Sequence, residues 1–175
     1  MLRWRKLLAI IAGLYVIEGF PMGVFRLVLP AWWVEAGLSE SAIGLASGFG
    51  LAWSIKLFWS PLVQWRGDYR AWISGALVVM AAALLALPNF DPRVGTAVWL
   101  AVGAFCIASA TQDIAIDAAT IELVPHGEEG PANSMRVSAY RVAFALFGSG
   151  ALFLPAWVGW DGTLRILGGV ALAMA

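Results

Sequence analysis

Glu18, Arg26, Lys56, Asp113, Asp117 and Arg141 are ionisable side chains set in stretches of sequence that are otherwise almost wholly apolar. A lysine or aspartate at the centre of a bilayer costs at least about 2.5 kcal/mol, so such groups are expected to face a partner, water or a passing solute. Carboxylates in that position can carry a proton, because burial favours their neutral form. Arginine and lysine there can attract an anion or pair with an acid. Asp113 and Asp117 are four apart and share one face of a helix. Glu18 is too short to reach an interface from mid-depth, whereas Lys56 and Arg141 have stems long enough to snorkel to the inner one. Asp113 and Asp117 could also simply mark a helix end.

The elements that position these groups follow from composition. Hydrophobic residues are 61% and charged ones 13% of the 175 positions, about half the charge of a soluble domain, so the fold class is an all-α integral membrane protein. Eleven basic and eleven acidic residues cancel, which excludes nucleic-acid binding driven by bulk positive charge. Crossing the hydrocarbon takes about 20 residues. Breaks at polar, proline and glycine clusters predict spans over residues 7–33, 42–63, 71–88, 94–118 and 133–155, with a partial sixth at 162–175. That last stretch is about 21 Å of helix, which predicts a truncated sixth span. Glu18 interrupts the first apolar run and no small-residue cleavage pattern follows it, so the basic start (Arg3, Arg5, Lys6) opens a first membrane helix rather than a removable signal.

Short connections make successive helices antiparallel neighbours. Arg3, Arg5, Lys6, Arg66, Arg70 and Arg136 fall on one side and Arg93 on the other, which predicts a cytoplasmic amino terminus. Tryptophan agrees, with Trp4, Trp59, Trp65 and Trp72 near the inner edge and Trp32, Trp33, Trp99, Trp157 and Trp160 near the outer one; Trp53 alone is left mid-span. Gly44, Gly48 and Gly50 give the second helix a small face for close packing. The third span has no charge between Arg70 and Asp91 and reads as a lipid-facing or supporting element. If the six segments are two inverted repeats of three, helices one and four correspond, as do two and five. The acids then match on one and four and the lone bases on two and five, so these four helices surround a polar path. Cys106 reads as buried filler and His126 as a solvated loop residue. No metal site, cofactor or nucleophile-and-base pair is expected, so an enzyme is not.

SATQDIAIDAATIELVP, Ser109 to Pro125, resembles the signature segment of the AmpG-type muropeptide permeases of the major facilitator superfamily. So do EGFPMG and LPAWWVEAGLS in the first helix, IGLASGFGLAWSIKLFWSPLV in the second, and the Tyr140 and Arg141 pair in the fifth. The resemblance implies the amino-terminal six-helix half of a proton-coupled secondary transporter. Such carriers import anhydromuropeptides across the bacterial inner membrane for cell-wall recycling. Its partners would be a small muropeptide-like solute, protons, the lipid bilayer and a missing carboxyl-terminal half. On this reading Glu18, Arg26, Lys56, Gln112, Asp113, Asp117, Tyr140 and Arg141 line the substrate path or couple the proton. Two departures stand out. Gln64 and Trp65 follow Pro61, Leu62 and Val63 where the superfamily usually has an aspartate and then basic residues, and Ala119 and Thr120 stand where the permeases tend to have tyrosine and arginine. Alternatives are an acetyl-coenzyme A or other anionic-solute carrier of the same superfamily, and a non-transporting membrane subunit or degenerate fragment.

Overall fold

The computed structural model describes residues 2–93 and 95–175, with side chains from Trp4 onward. Among the described residues the chain is helical and has no strand. The helices are α1 (Leu2–Gly23), α2 (Leu29–Glu35), α3 (Glu40–Ala46), α4 (Leu51–Ile55), α5 (Ser60–Arg66), α6 (Tyr69–Ala86), α7 (Thr96–Leu123), α8 (Glu129–Phe144) and α9 (Pro155–Met174). They join into six rods. Helix one is α1 and α2 linked by a π turn at Val24–Val28, and helix two is α3 to α5 linked by 3-10 turns. Helices three and four are α6 and α7. Helix five is α8 extended through a π turn at Ala145–Ser149 and a 3-10 turn to Phe153, and helix six is α9.

The start and stop signals are local. Ser39 caps α3 by accepting the Ala42 N–H at 3.3 Å, and Asp68 caps α6 by accepting that of Ala71 at 3.2 Å; both use the short oxygens suited to orphan amides at a helix start. Gly67 closes α5 at φ 66°, a left-handed conformation that glycine adopts without penalty. Proline stands in the first turn of α2, α5 and α9, the points where one helical segment follows another. Pro21 lies inside α1 and deprives the carbonyl four residues back of its donor. The π turn carrying Arg26 begins three residues later.

Four stretches, Trp4–Glu35, Glu40–Phe58, Tyr69–Asn89 and Thr96–Leu123, are long and apolar enough to cross a membrane. The outer surface suits lipid: Leu45, Phe58, Trp65, Phe153 and Trp157 stand exposed on it. The expected fourth span starts at Val94, which lies outside the described residues; the helix there begins at Thr96 and continues to Leu123. The stretch Pro155–Met174 is two helical pieces broken at Gly159, whose φ 69° and ψ 175° are not helical, so the main body of helix six follows Gly159.

Helix one packs against helices five and four, helix two against four, and helix three between four and six. One expectation changes here. Nothing approaches the face of Gly44 and Gly48 within 4 Å, so no backbone uses it among the described residues. The close approach is instead between helices one and five: a Cβ on Gly19 would lie 2.7 Å from the Tyr140 carbonyl, and one on Gly23 would lie 2.8 Å from the Gly148 N. Gly19 and Gly23 form a small-xxx-small pair of their own. The two π turns meet at this point, with Phe20 and Phe147 edge to face at 5.1 Å beside them. Of the two readings of helix three, lipid-facing or supporting, its packing favours the second: Ile73, Ala76, Leu77, Met80, Ala81 and Leu84 are buried between its neighbours. Trp33 and Trp99 pack together at 5.7 Å, with Trp33 fully buried. Cys106 is buried and unpaired.

Candidate functional site

Two carboxylates on one face of α7 organise the polar centre. Asp113 forms an ion pair with Lys56 from helix two, with both side chains largely shielded. One turn on, Asp117 accepts two bonds at Oδ1, from the Tyr15 hydroxyl at 2.7 Å and from Nη2 of Arg136 at 2.6 Å. The Arg136 guanidinium also lies 4.6 Å from the centre of the Tyr15 ring, so charge, hydrogen bond and cation–π contact act on one cation. Helices one, two, four and five therefore meet at Asp113 and Asp117.

Glu18 lies one turn from Tyr15 on helix one and within electrostatic range of Asp113, Asp117 and Arg136. Its Oε2 is shut off from solvent and has no hydrogen-bond partner among the described residues. Three carboxylates thus face two engaged cations, and the carboxylate left over is Glu18. Leaving such a group charged and unpaired is expensive, so the centre calls for one more proton or one more cation.

An open cavity of about 330 Å³ borders Glu18 and is lined by Tyr15, Asn133, Arg136, Val137, Tyr140 and Arg141. Arg141 is exposed and has no ion-pair partner among the described residues. Arg26 is likewise exposed, carried by the π turn. On the opposite flank a cavity of about 360 Å³ is bordered by Lys56, Ser60, Gln64, Tyr69, Asp117 and Glu122. Tyr69 donates to Glu122 Oε1 across it at 2.9 Å. Gln64, one of the two sequence departures, faces this second cavity. Gln112 is fully buried, and neither its Oε1 nor its Nε2 finds a partner among the described residues.

The residues singled out from sequence are thereby placed. Lys56, Asp113 and Asp117 meet at the centre; Glu18, Tyr140 and Arg141 share one cavity, which Arg26, exposed on the π turn of helix one, does not line; and Gln112 sits apart, inside the packed bundle. Sequence reasoning missed Tyr15 and Arg136. Tyr15 stands three residues before Glu18 and Arg136 four before Tyr140, so helical spacing put both on the faces already under suspicion. Arg136 had been read only as a positive charge on the inner side. Asn133 and the Trp59 Nε1–H, which donates to Thr111 Oγ1 at 3.2 Å, were also missed. Among the described residues no group of His, Cys, Asp and Glu is arranged to hold a metal. His126 lies 3.8 Å from Glu129 on the exposed loop before α8.

No family model matches the chain. Curated proteins do. It is 32% identical over 163 residues to the "Anhydromuropeptide permease" of Escherichia coli, covering 88% of this chain and 33% of that protein. It is 32% identical over 151 residues to an "Uncharacterized protein" of Haemophilus influenzae, covering 82% of this chain and 35% of that one. A "Putative transporter AmpG 4" of Rickettsia felis is 29% identical over 164 residues, with 87% and 39% covered. The chain spans about a third of the length of the curated relatives it matches.

Proposed function

This chain is homologous to AmpG-type permeases over nearly nine-tenths of its length, and from that premise we propose that it works as the amino-terminal six-helix half of a proton-coupled major facilitator superfamily transporter. The transporter imports anhydromuropeptides across the bacterial inner membrane for cell-wall recycling, and its amino terminus is cytoplasmic. The rest of the carrier closes the path from the other side, since alternating access rocks one helical repeat against another around a central site. Relatives named as permeases and transporters support a carrier rather than an enzyme. Orientation rests on Arg5, Lys6, Arg66 and Arg70, exposed basic residues that share one end of the bundle on the positive-inside rule.

One observation carries the reading beyond homology, namely the uncompensated carboxylate. Glu18 is the carboxylate of the centre that no cation engages, shielded from water on one oxygen and open to a cavity beside it. A proton from the periplasm neutralises Glu18, and release to the cytoplasm restores the charge. Asp113 and Asp117 hold Lys56 and Arg136 in place meanwhile, so the path keeps its shape while one site changes charge.

The test is uptake of labelled anhydromuropeptide into proteoliposomes carrying the whole transporter. An inward proton gradient is expected to drive accumulation, and Glu18→Gln is expected to abolish accumulation while leaving the protein folded. Uptake that ignores the gradient, or full accumulation in Glu18→Gln, overturns the coupling role.

A further inference from the structure

The two arginines that line the Glu18 cavity are not equivalent. Arg136 is spent on Asp117 and on the Tyr15 ring, at 2.6 Å and 4.6 Å. Arg141 borders the same cavity with no partner among the described residues. Next to it in sequence stands Tyr140, half-buried and also on the wall. Its backbone is pinned by the Gly19 approach, where its carbonyl lies so close that no Cβ would fit. Asn133 adds an amide on the same wall, about two turns before Tyr140. An aromatic ring, a free guanidinium and an amide in one cavity are the groups that recognise a sugar ring bearing a carboxylate. The opposite flank differs, because its base, Lys56, is already neutralised by Asp113.

Resting on the transport reading above, we infer that the cavity between helices one and five is a carboxylate-and-ring subsite. Arg141 takes a ligand carboxylate, Tyr140 supplies the face on which a pyranose ring lies, and Asn133 bonds to a ligand amide or hydroxyl. At about 330 Å³ the cavity is at the lower end of the roughly 300–1,000 Å³ of small-molecule pockets, so it holds one part of a larger ligand. Arg136 is a positioning residue: it fixes Asp117 and Tyr15 and does not touch the ligand.

The experiment compares competition by two unlabelled ligands in proteoliposomes of the whole transporter: an anhydromuropeptide and the same molecule with its carboxylates amidated. Wild type should prefer the carboxylate form by about tenfold or more, the range for a hydrogen-bonded charge. Arg141→Gln should remove that preference by weakening the carboxylate form alone. Tyr140→Ala should weaken both forms, and Tyr140→Phe neither. Arg141→Lys is included because it keeps the charge should Arg141→Gln fail to fold; it should retain part of the preference. The inference is overturned if Arg141→Gln weakens both forms equally or leaves the preference intact, or if Arg141→Lys, as the sole folded variant, keeps the full preference. Wild type that takes up no muropeptide at all refutes the transport reading itself, a separate outcome.

Discussion

The two flanks of the polar centre use the same vocabulary, an acid on an inner helix facing a base on an outer one, and spell different things with it. Between helices two and four, Lys56 and Asp113 close on each other. Between helices one and five, Glu18 keeps an oxygen without a partner and Arg141 stands open beside a cavity. The base that helix five does commit, Arg136, reaches across to Asp117 of helix four instead. A closed pair fixes geometry and offers nothing to a solute. An open pair is costly alone and acquires value only when a proton or an anion arrives, which is the property a coupled carrier needs.

Breaking the closed flank should have the largest effect on folding. Lys56→Met leaves Asp113 buried without its cation and should cost about 3 kcal/mol, the low end for breaking a buried pair because both groups keep some solvent contact. Thermal denaturation in detergent checks this, and the added change Asp113→Leu should recover most of the loss. Glu18→Gln on the open flank should leave thermal stability unchanged or slightly raised, because it removes a shielded carboxylate oxygen that no hydrogen bond engages. Equal destabilisation by Lys56→Met and Glu18→Gln would erase the contrast between flanks.

Gly19→Ala sharpens the comparison from the packing side. Its Cβ would meet the Tyr140 carbonyl and the Ala143 Cβ at 2.7 and 2.8 Å, so helices one and five must part, at about 1–3 kcal/mol by the usual cost of overpacking. Gly44→Ala, with nothing within 4 Å, should be neutral in the same melting experiment. A smaller effect is expected at the outer end, where Arg93 Nε donates to the Ala36 carbonyl just past α2. Arg93→Ala should remove about 0.3–1 kcal/mol of helix-end stabilisation and leave uptake intact. The smallest lies in the loop before α8, where the Glu129 carboxylate accepts the Gly127 N–H at 2.8 Å. Backbone N–H groups of Glu129 and Gly127 hold that carboxyl below its ordinary range. A depressed folded value means the contact is fully present above the ordinary carboxylate range and is lost as pH falls through the lowered value. The Gly127 amide resonance should report that transition, and Glu129→Gln should abolish it.

Much of the site was legible in the sequence because charge is conspicuous against an apolar background. Asp113, Asp117 and Lys56 announced a polar centre by type and spacing alone. Their pairing was not legible: Arg136 could be counted as an inner-side charge, and only the crossing of helices four and five brings it to Asp117. The packing glycines show the same limit. Gly44 with Gly48 and Gly19 with Gly23 carry the same spacing, and nothing in a single sequence says which face meets a backbone. Helix three looked peripheral because it lacks charge, but absence of charge fits a lipid face and a buried helix equally.

The central claim is that one flank is a structural pair and the other a working one, and uptake by two charge-swapped double variants of the whole transporter tests it most directly. Lys56→Asp with Asp113→Lys reverses a pair whose task is to close, whereas Glu18→Arg with Arg141→Glu reverses one whose members answer to a proton and a solute. Substantial proton-driven uptake in the first variant and none in the second is the expected result. The opposite ranking, or equal activity in both, would contradict the account.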